Sequence, residues 1–449
     1  MMSTTNAKTA TSEEMVAKNR PAYVAVALGA LTALAAAYPA AATPAYGYLT
    51  TISVPGADGK TAAPFSGYDL SVFDPSSQLY YLTDRTNKGI DVFSAATNTY
   101  VSRIGAGLFA GTQGGNNNIA GPNGIYLSNT SAGKLLIAGD GTSSVYAFNL
   151  NAAGTGATSA PRVISTVVPG TSTTLPPTPN PPNRVDGVAY APAANTILAA
   201  NNASNPGFVT LIDNASGNII RSIKLDGTGG YPNVADNGVE ATIFNTARNS
   251  FFVAVPTLSV NSMGNPGDAG GPPGDAGGLI ELDATNGNLK NTYNFATLGL
   301  TGACSPTGLA QGAGASMFVA CSDNTAGRSV LLDPTGQGSI RFANGISGGD
   351  QVSYDPTNNT FFEAARFQLG GPVLGIIDGA TLALQTLNIG ANDHAVAVDP
   401  VSNEVFIASA ATKNIPGCTI GCVAVFQVVP EPSTWSVMTI ALLGLGLLG

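Results

Sequence analysis

Runs of alternating apolar and polar residues, each closed by Gly, Pro, Asn, Asp or Ser, recur through most of this chain. The clearest is Asp393-His394-Ala395-Val396-Ala397-Val398-Asp399-Pro400, followed by Val401-Ser402-Asn403-Glu404-Val405-Phe406-Ile407-Ala408. Period-two alternation in branched and aromatic residues predicts a strand. Asp-Pro and Ser-Asn predict a tight turn, and the second run predicts the returning strand. The same order recurs where Asp350-Gln351-Val352-Ser353-Tyr354-Asp355-Pro356 leads into Thr360-Phe361-Phe362. It recurs again from Asp186-Gly187-Val188 into Thr196-Ile197-Leu198, and from Asp69-Leu70-Ser71-Val72 into Leu79-Tyr80-Tyr81. Looser copies start at Asn123-Gly124-Ile125, Asn237-Gly238-Val239 and Thr307-Gly308-Leu309, which makes seven units.

Each full unit continues with a third strand, such as Phe208-Val209-Thr210-Leu211-Ile212-Asp213 or Leu279-Ile280-Glu281-Leu282-Asp283. A turn such as Asn214-Ala215-Ser216-Gly217-Asn218 then leads to a fourth. A four-stranded sheet cannot bury both faces alone, so such repeats stack radially into an all-β ring, a seven-bladed β-propeller with four-stranded blades. The seventh unit has three strands and ends near Phe426. The isolated run Tyr48-Leu49-Thr50-Thr51-Ile52-Ser53-Val54 resembles the fourth strands of the other units and is expected to complete it, closing the ring. The propeller is expected over residues 46–427. Its motifs resemble the YVTN-type and NHL-type propeller families, best in units three, six and seven. The turns joining first to second strands are short, whereas 105–121, 169–183, 227–236, 256–278 and 412–421 are long. Alternating strand direction places all the long connections on one face, where binding residues tend to gather; drift in low-complexity loops is the blander reading.

Composition narrows the choices. Only 10% of the 449 residues are charged and the net charge is −9, which argues against nucleic acid as a partner. The 55 Gly and 29 Pro lack a collagen period and act as turn punctuation. Lys18 and Arg20 precede an apolar run at 22–37 and then Ala40-Ala41-Ala42. That is the layout of a secretory signal peptide over residues 1–42, with a membrane anchor as the competing reading and Met15 as an alternative start.

The four cysteines suit an exported chain. Cys304 precedes the first strand of unit five and Cys321 ends its second, so antiparallel pairing brings them together. Cys418 and Cys422 share one loop. Two local disulfides are expected; a four-cysteine zinc site is the alternative, and it lacks paired CxxC spacing. Two motif matches carry little. Gly444-Leu445-Gly446-Leu447-Leu448-Gly449 has no strand–helix context, so it is no dinucleotide loop. Gly345-Ile346-Ser347-Gly348-Gly349 lies between strands rather than at a strand-to-helix elbow. A hydrolase combining Ser347 with the sole histidine, His394, stays open on sequence alone. Gly267-Asp268-Ala269-Gly270-Gly271 and its repeat at 274–278 read as a flexible loop rather than a calcium loop.

At the C-terminus, Val429-Pro430-Glu431-Pro432-Ser433-Thr434-Trp435 precedes an apolar run at 437–449. This segment, 428–449, resembles the PEP-CTERM sorting signal of Gram-negative, exopolysaccharide-producing bacteria. The resemblance implies processing around Pro430, Glu431 and Pro432 by a membrane exosortase, with transient membrane contact through the tail. It also implies delivery to the cell surface or extracellular matrix. The family ends in a basic cluster after the apolar run, whereas this sequence stops at Gly449; a truncated sequence or weak retention is the expected reason.

Aligning the seven units places Asp69, Asn123, Asp186, Asn237, Thr307, Asp350 and His394 at one equivalent position, the start of each innermost strand. In unit one a shift of one residue would put Tyr68 there instead. These positions should ring the channel mouth on the long-loop face. Either they fix turns by bonding backbone N–H groups, or they form a ligand site for a calcium or magnesium ion or a polyol. Clustered carboxylates repel one another unless a cation offsets them. The expected function is therefore a surface-sorted binding or scaffold protein whose partners are matrix polysaccharide or another surface protein. The alternative is a metal-dependent lactonase- or lyase-like enzyme; no catalytic residue is assigned.

Overall fold

The computed structural model describes residues 44–130, 133–166, 184–204, 207–232, 238–258 and 276–429. They form seven sheets of four antiparallel strands. Blade one comprises Tyr68–Asp74, Leu79–Asp84, Gly89–Ser94 and Thr99–Ile104. Blades two to six follow over 125–165, 188–224, 242–294, 306–344 and 352–388. Among the described residues, helix is limited to two 3-10 turns, Gln113–Gly115 and Asn117–Ile119.

The turns form for a local reason. Asp74, Asp355 and Asp399 end innermost strands, and each carboxylate accepts the backbone N–H two residues on, from Ser76, Thr357 and Val401 respectively. The residue before the second strand adopts positive φ, at Gln78, Asn195, Asn249, Asn359 and Asn403. Asparagine tolerates that conformation better than most residues, which explains its recurrence. At the third-to-fourth turns Asp213, Asp283 and Asp378 do the same work, accepting N–H groups from Ser216, Thr285 and Ala380.

Burial is greatest in the middle of each blade. The second strands Leu79–Asp84, Thr196–Asn201, Ser250–Val255, Thr360–Ala365 and Glu404–Ser409 are buried at every position. The fourth strands alternate; Val163 and Ile220 are exposed. The core is thus a circle of inter-blade clusters. One spans blades seven and one with Ile52, Phe65, Tyr80, Phe93, Phe406 and Val425.

Blade seven holds Val396–Asp399, Glu404–Ser409 and Cys422–Val428, and its fourth strand is Tyr46–Ser53. The pairs run from Tyr46 opposite Val428 to Ser53 opposite Cys422, with an irregularity between Tyr48 and Thr50. The expected closure is present, and the last strand continues to Val428, beyond Phe426. Gln351 adds a side-chain stitch across this seam. Its Oε1 accepts the Val396 N–H (3.0 Å) and the Ser71 N–H and Oγ–H (3.1 Å each), while its Nε2 donates to Ser71 O (2.6 Å). One amide therefore ties blade six to blades seven and one.

Both expected disulfides form. Cys304–Cys321 has a Cα separation of 4.5 Å and Cys418–Cys422 of 5.3 Å. The second holds a loop against the closure, where Ile420 O accepts the Phe65 N–H (2.7 Å) and Pro416 O accepts Thr51 Oγ1–H (3.0 Å).

Candidate ligand site at the channel mouth

The innermost strands enclose a central channel of about 1200 Å³, lined at one end by Asp69, Asp186, Asp350 and His394 and at the other by the turns at Pro75, Pro356 and Pro400. Strand register defines the ring at its mouth. In blades two, three and six the N–H groups of Asn123, Asp186 and Asp350 donate to Gly139, Ala200 and Ala364 on the second strand. In blade four the group that makes this bond is Glu240, donating to Ala254 (3.0 Å). Asn237 lies outside the described residues, and the register gives its place in the ring to Glu240. In blade one the pairing is irregular between Tyr68 and Ser71, which accounts for the two alignments the sequence allowed. Asp69 meets the other ring members, and Tyr68 stacks behind.

Adjacent inner strands approach closely here. Gly124 N–H donates to Asp186 O (2.8 Å), Ala241 to Thr307 O (3.3 Å) and Gln351 to His394 O (3.3 Å). A Cβ on Gly124 would lie 1.9 Å from Asp186 O, and one on Gly308 would lie 1.9 Å from Asp350 O. In blades two and five glycine after the ring residue is what lets the strands converge.

A second set of side chains reaches the ring from the residue that follows each second strand. Arg85, Asn202 and Arg366 each stand 16 positions after the ring residue of their own blade. Arg85 Nη2 lies 2.7 Å from Asp69 Oδ2 and also donates to Asn123 Oδ1 (2.6 Å). Arg366 Nη2 lies 2.8 Å from Asp350 Oδ2. Asn202 Nδ2 donates to Asp186 Oδ2 (2.8 Å) and reaches Glu240 Oε2 at 3.4 Å. A third arginine, Arg184, has its Nε 2.9 Å from Asn202 Oδ1 and 3.5 Å from Asp186 Oδ1.

These contacts set the charge states. Burial raises the proton affinity of Asp69, but Arg85, the His394 contact and Arg184 outweigh it and hold the carboxyl below the usual range. Burial and the neighbouring carboxylates Asp69 and Asp350 push Asp186 up against the opposing pull of Arg184. Glu240 is pushed further up, by burial first and then by Asp186. Both carboxyls therefore hold a proton more tightly than usual, Glu240 the more so. Burial opposes the charge on Arg184, but Asp186, Asp69, Glu240 and Asp350 together strengthen it. Three guanidiniums thus face the four carboxyl groups of the ring.

His394 is buried and stacks on Tyr68 with centroids 4.8 Å apart. Its Nδ1 lies 2.6 Å from Asn392 O; a carbonyl only accepts, so Nδ1 carries the proton. Its Nε2 is 3.5 Å from Asp69 Oδ1. Beside it the Asp393 carboxyl is pushed up to about 6 by burial, against the Ser409 and Gly390 hydrogen bonds. Thr307 Oγ1 donates to Gly349 O (3.0 Å) and fixes the backbone, as does Asn123 Nδ2 through Ala120 O (2.9 Å). Backbone-fixing bonds and carboxylate–guanidinium pairs therefore coexist in one ring. Ser347 Oγ donates to Asn324 O (3.3 Å) and accepts the Gly327 N–H (3.1 Å). It is committed to backbone away from His394, so the Ser-His pairing open on sequence is not made.

For a metal, the oxygen donors on offer are Asp69, Asp186, Glu240 and Asp350. Among the described residues no three His, Cys, Asp or Glu side chains converge on one metal position. The offsetting cations are instead the arginines, which the alignment of innermost strands did not reach. Aligning second-strand ends would have found Arg85 and Arg366. Pro430, Glu431 and Pro432, like the segments 1–42 and 259–275, lie outside the described residues. The two disulfides fit an oxidising, extracytoplasmic setting.

No family model matches the chain, and no curated protein matches it. Solved structures do. A chain of Kuenenia stuttgartiensis hydrazine synthase superposes with a TM-score of 0.53 at 12% identity, covering 83% of this chain and 98% of that one. A chain of the mitotic checkpoint complex superposes at 0.51 with 10% identity, covering 94% and 99%. At these identities the likeness is one of fold.

Proposed function

We propose that this chain is an exported, surface-sorted β-propeller that works as a binding protein in the exopolysaccharide matrix, with its ligand site at the channel mouth. The observation that carries the reading is the ring of carboxyls contacted by the chain's own guanidiniums. Hydrogen-bond donors and acceptors lie side by side there. Such a surface suits a ligand rich in hydroxyl groups, a polyol or a sugar unit of the matrix polysaccharide.

Equilibrium binding of the full-length chain to exopolysaccharide from the producing cells tests this. The double substitution Asp186→Asn with Asp350→Asn should abolish binding, and equal binding by wild type and variant would contradict the site. Export and exosortase processing rest on the terminal segments. They predict a native product that begins near Thr43 and lacks the tail beyond Pro430-Glu431-Pro432; an intact mass retaining 437–449 in released protein would overturn that part.

One observation favours a second reading, an enzyme of lactonase or lyase type. The Asp186 and Glu240 carboxyls, both with raised proton affinity, line the mouth of an open cavity where a general acid would act. Turnover of a lactone or uronate oligosaccharide, lost in Glu240→Gln, would support it.

A further inference from the structure

Blade six carries a large aromatic side chain at the cavity rim that packing does not require. Phe367 follows Arg366, lines the channel mouth and is 52% exposed. Single exposed apolar residues are ordinary on a protein surface. This one is held in place from several sides. The Arg366 guanidinium sits 4.6 Å from the Phe367 ring centroid, and its Nη2 is bound to Asp350 of the ring. Phe367 N–H donates to Gly348 O (3.0 Å), and Gly348 N–H donates to Cys321 O (2.7 Å), a half-cystine of the Cys304–Cys321 bridge.

The next residue locks the same loop. Gln368 Oε1 accepts the Ser347 N–H (2.8 Å), and its Nε2 donates to Gly345 O (3.0 Å). Gly348 has φ of 77°, and a Cβ there would lie 2.3 Å from the Phe367 carbonyl carbon. Only glycine permits this close seat. The loop thus fixes an aromatic face whose exposed side meets solvent at the mouth, one guanidinium away from a ring of hydroxyl-binding groups.

We infer that Phe367 is a stacking platform for a pyranose ring, whose hydroxyls reach Asp350, Arg366 and Arg184. The inference rests on the hydroxyl-rich ligand proposed above and names its class. The apolar C–H face of a pyranose carries slight positive charge and complements the negative face of an aromatic ring. A rigid platform binds without the entropy loss of ordering a loop. A small linear polyol would gain little from such a surface, so Phe367 separates cyclic sugars from it.

The test is calorimetric titration of the full-length chain with glucose, galactose, mannose and their β-1,4-linked disaccharides. Wild type, Phe367→Ala, Phe367→Trp, Asp350→Asn and Leu369→Ala are compared. Phe367→Ala should weaken binding about tenfold, the equivalent of one good aromatic contact. Phe367→Trp should restore it, and Leu369→Ala, a neighbour 77% exposed, should leave it unchanged. If wild type binds and Asp350→Asn does not, but Phe367→Ala binds as wild type, the platform is overturned and the ring site stands. If Phe367→Ala loses binding and Asp350→Asn keeps it, the platform stands and the ring reading falls. Binding of none of these sugars by wild type overturns both.

Discussion

Replacing Ile52 by Ala tests ring closure at a single side chain. Ile52 lies on the N-terminal strand opposite Val423 and is 4% exposed, packed among Val54, Phe65, Tyr80, Phe406 and Val425. The substitution removes three carbons from that cluster, worth about 2.4 kcal/mol in transfer free energy. The cavity left between blades seven and one brings the loss to about 3 kcal/mol. Val163→Ala, on the outer strand of blade two and 57% exposed, is the control and should change stability by less than about 0.5 kcal/mol. Urea unfolding monitored by far-UV circular dichroism supplies the readout. Ile52→Ala should lower the midpoint at unchanged slope, and removal of residues 44–53 should prevent folding, since it also strands the edge of Cys422–Val428. A midpoint for Ile52→Ala equal to that of Val163→Ala would mean that closure through this strand contributes nothing.

Three further outcomes are expected. Glu363 is fully buried and its carboxyl is pushed up to about 8 by burial, relieved only by the Ser329 hydroxyl. Its folded pKa exceeds the unfolded value of about 4.3, so its contribution is intact at acid pH and declines as pH rises towards 8, by at most about 1.4 kcal/mol per pH unit. Glu363→Gln should flatten thermal stability between pH 5 and 8, and an unchanged pH profile would refute the burial argument. Gln351→Ala removes four hydrogen bonds across the seam and should cost about 2 kcal/mol by urea unfolding, whereas a change below about 0.5 kcal/mol would show that water replaces them. Non-reducing peptide mapping should recover Cys304–Cys321 and Cys418–Cys422 as linked pairs, and free thiols in exported protein would contradict both.

Units one, six and seven were readable because they end their first strands in Asp-Pro, and units three, four, six and seven because Asn at positive φ precedes the second strand. Asp-Pro followed by Asn at positive φ is a local demand that sequence displays directly. Closure was readable for a related reason: a three-stranded last unit leaves an edge that only the unpaired N-terminal run can cover. The ring was readable only in part. Asn237-Gly238-Val239 imitates Asp186-Gly187-Val188, yet the backbone bond that defines the ring belongs to Glu240. Two successive polar residues within one loop gave no means of choosing the register. The arginines escaped notice because they lie on another strand of the blade, and proximity across a sheet leaves no mark in local sequence. The Asp186–Glu240 pair followed from both omissions, since neither its partner nor Arg184 was in the aligned set.

The most direct measurement is calorimetric titration of the full-length chain with its saccharide ligand in calcium and again in excess EDTA. Three arginines already contact the ring carboxyls, so affinity should be the same in both buffers and should be lost in Asp186→Asn with Asp350→Asn. Loss of binding in EDTA, restored by calcium, would contradict a site held by its own guanidiniums.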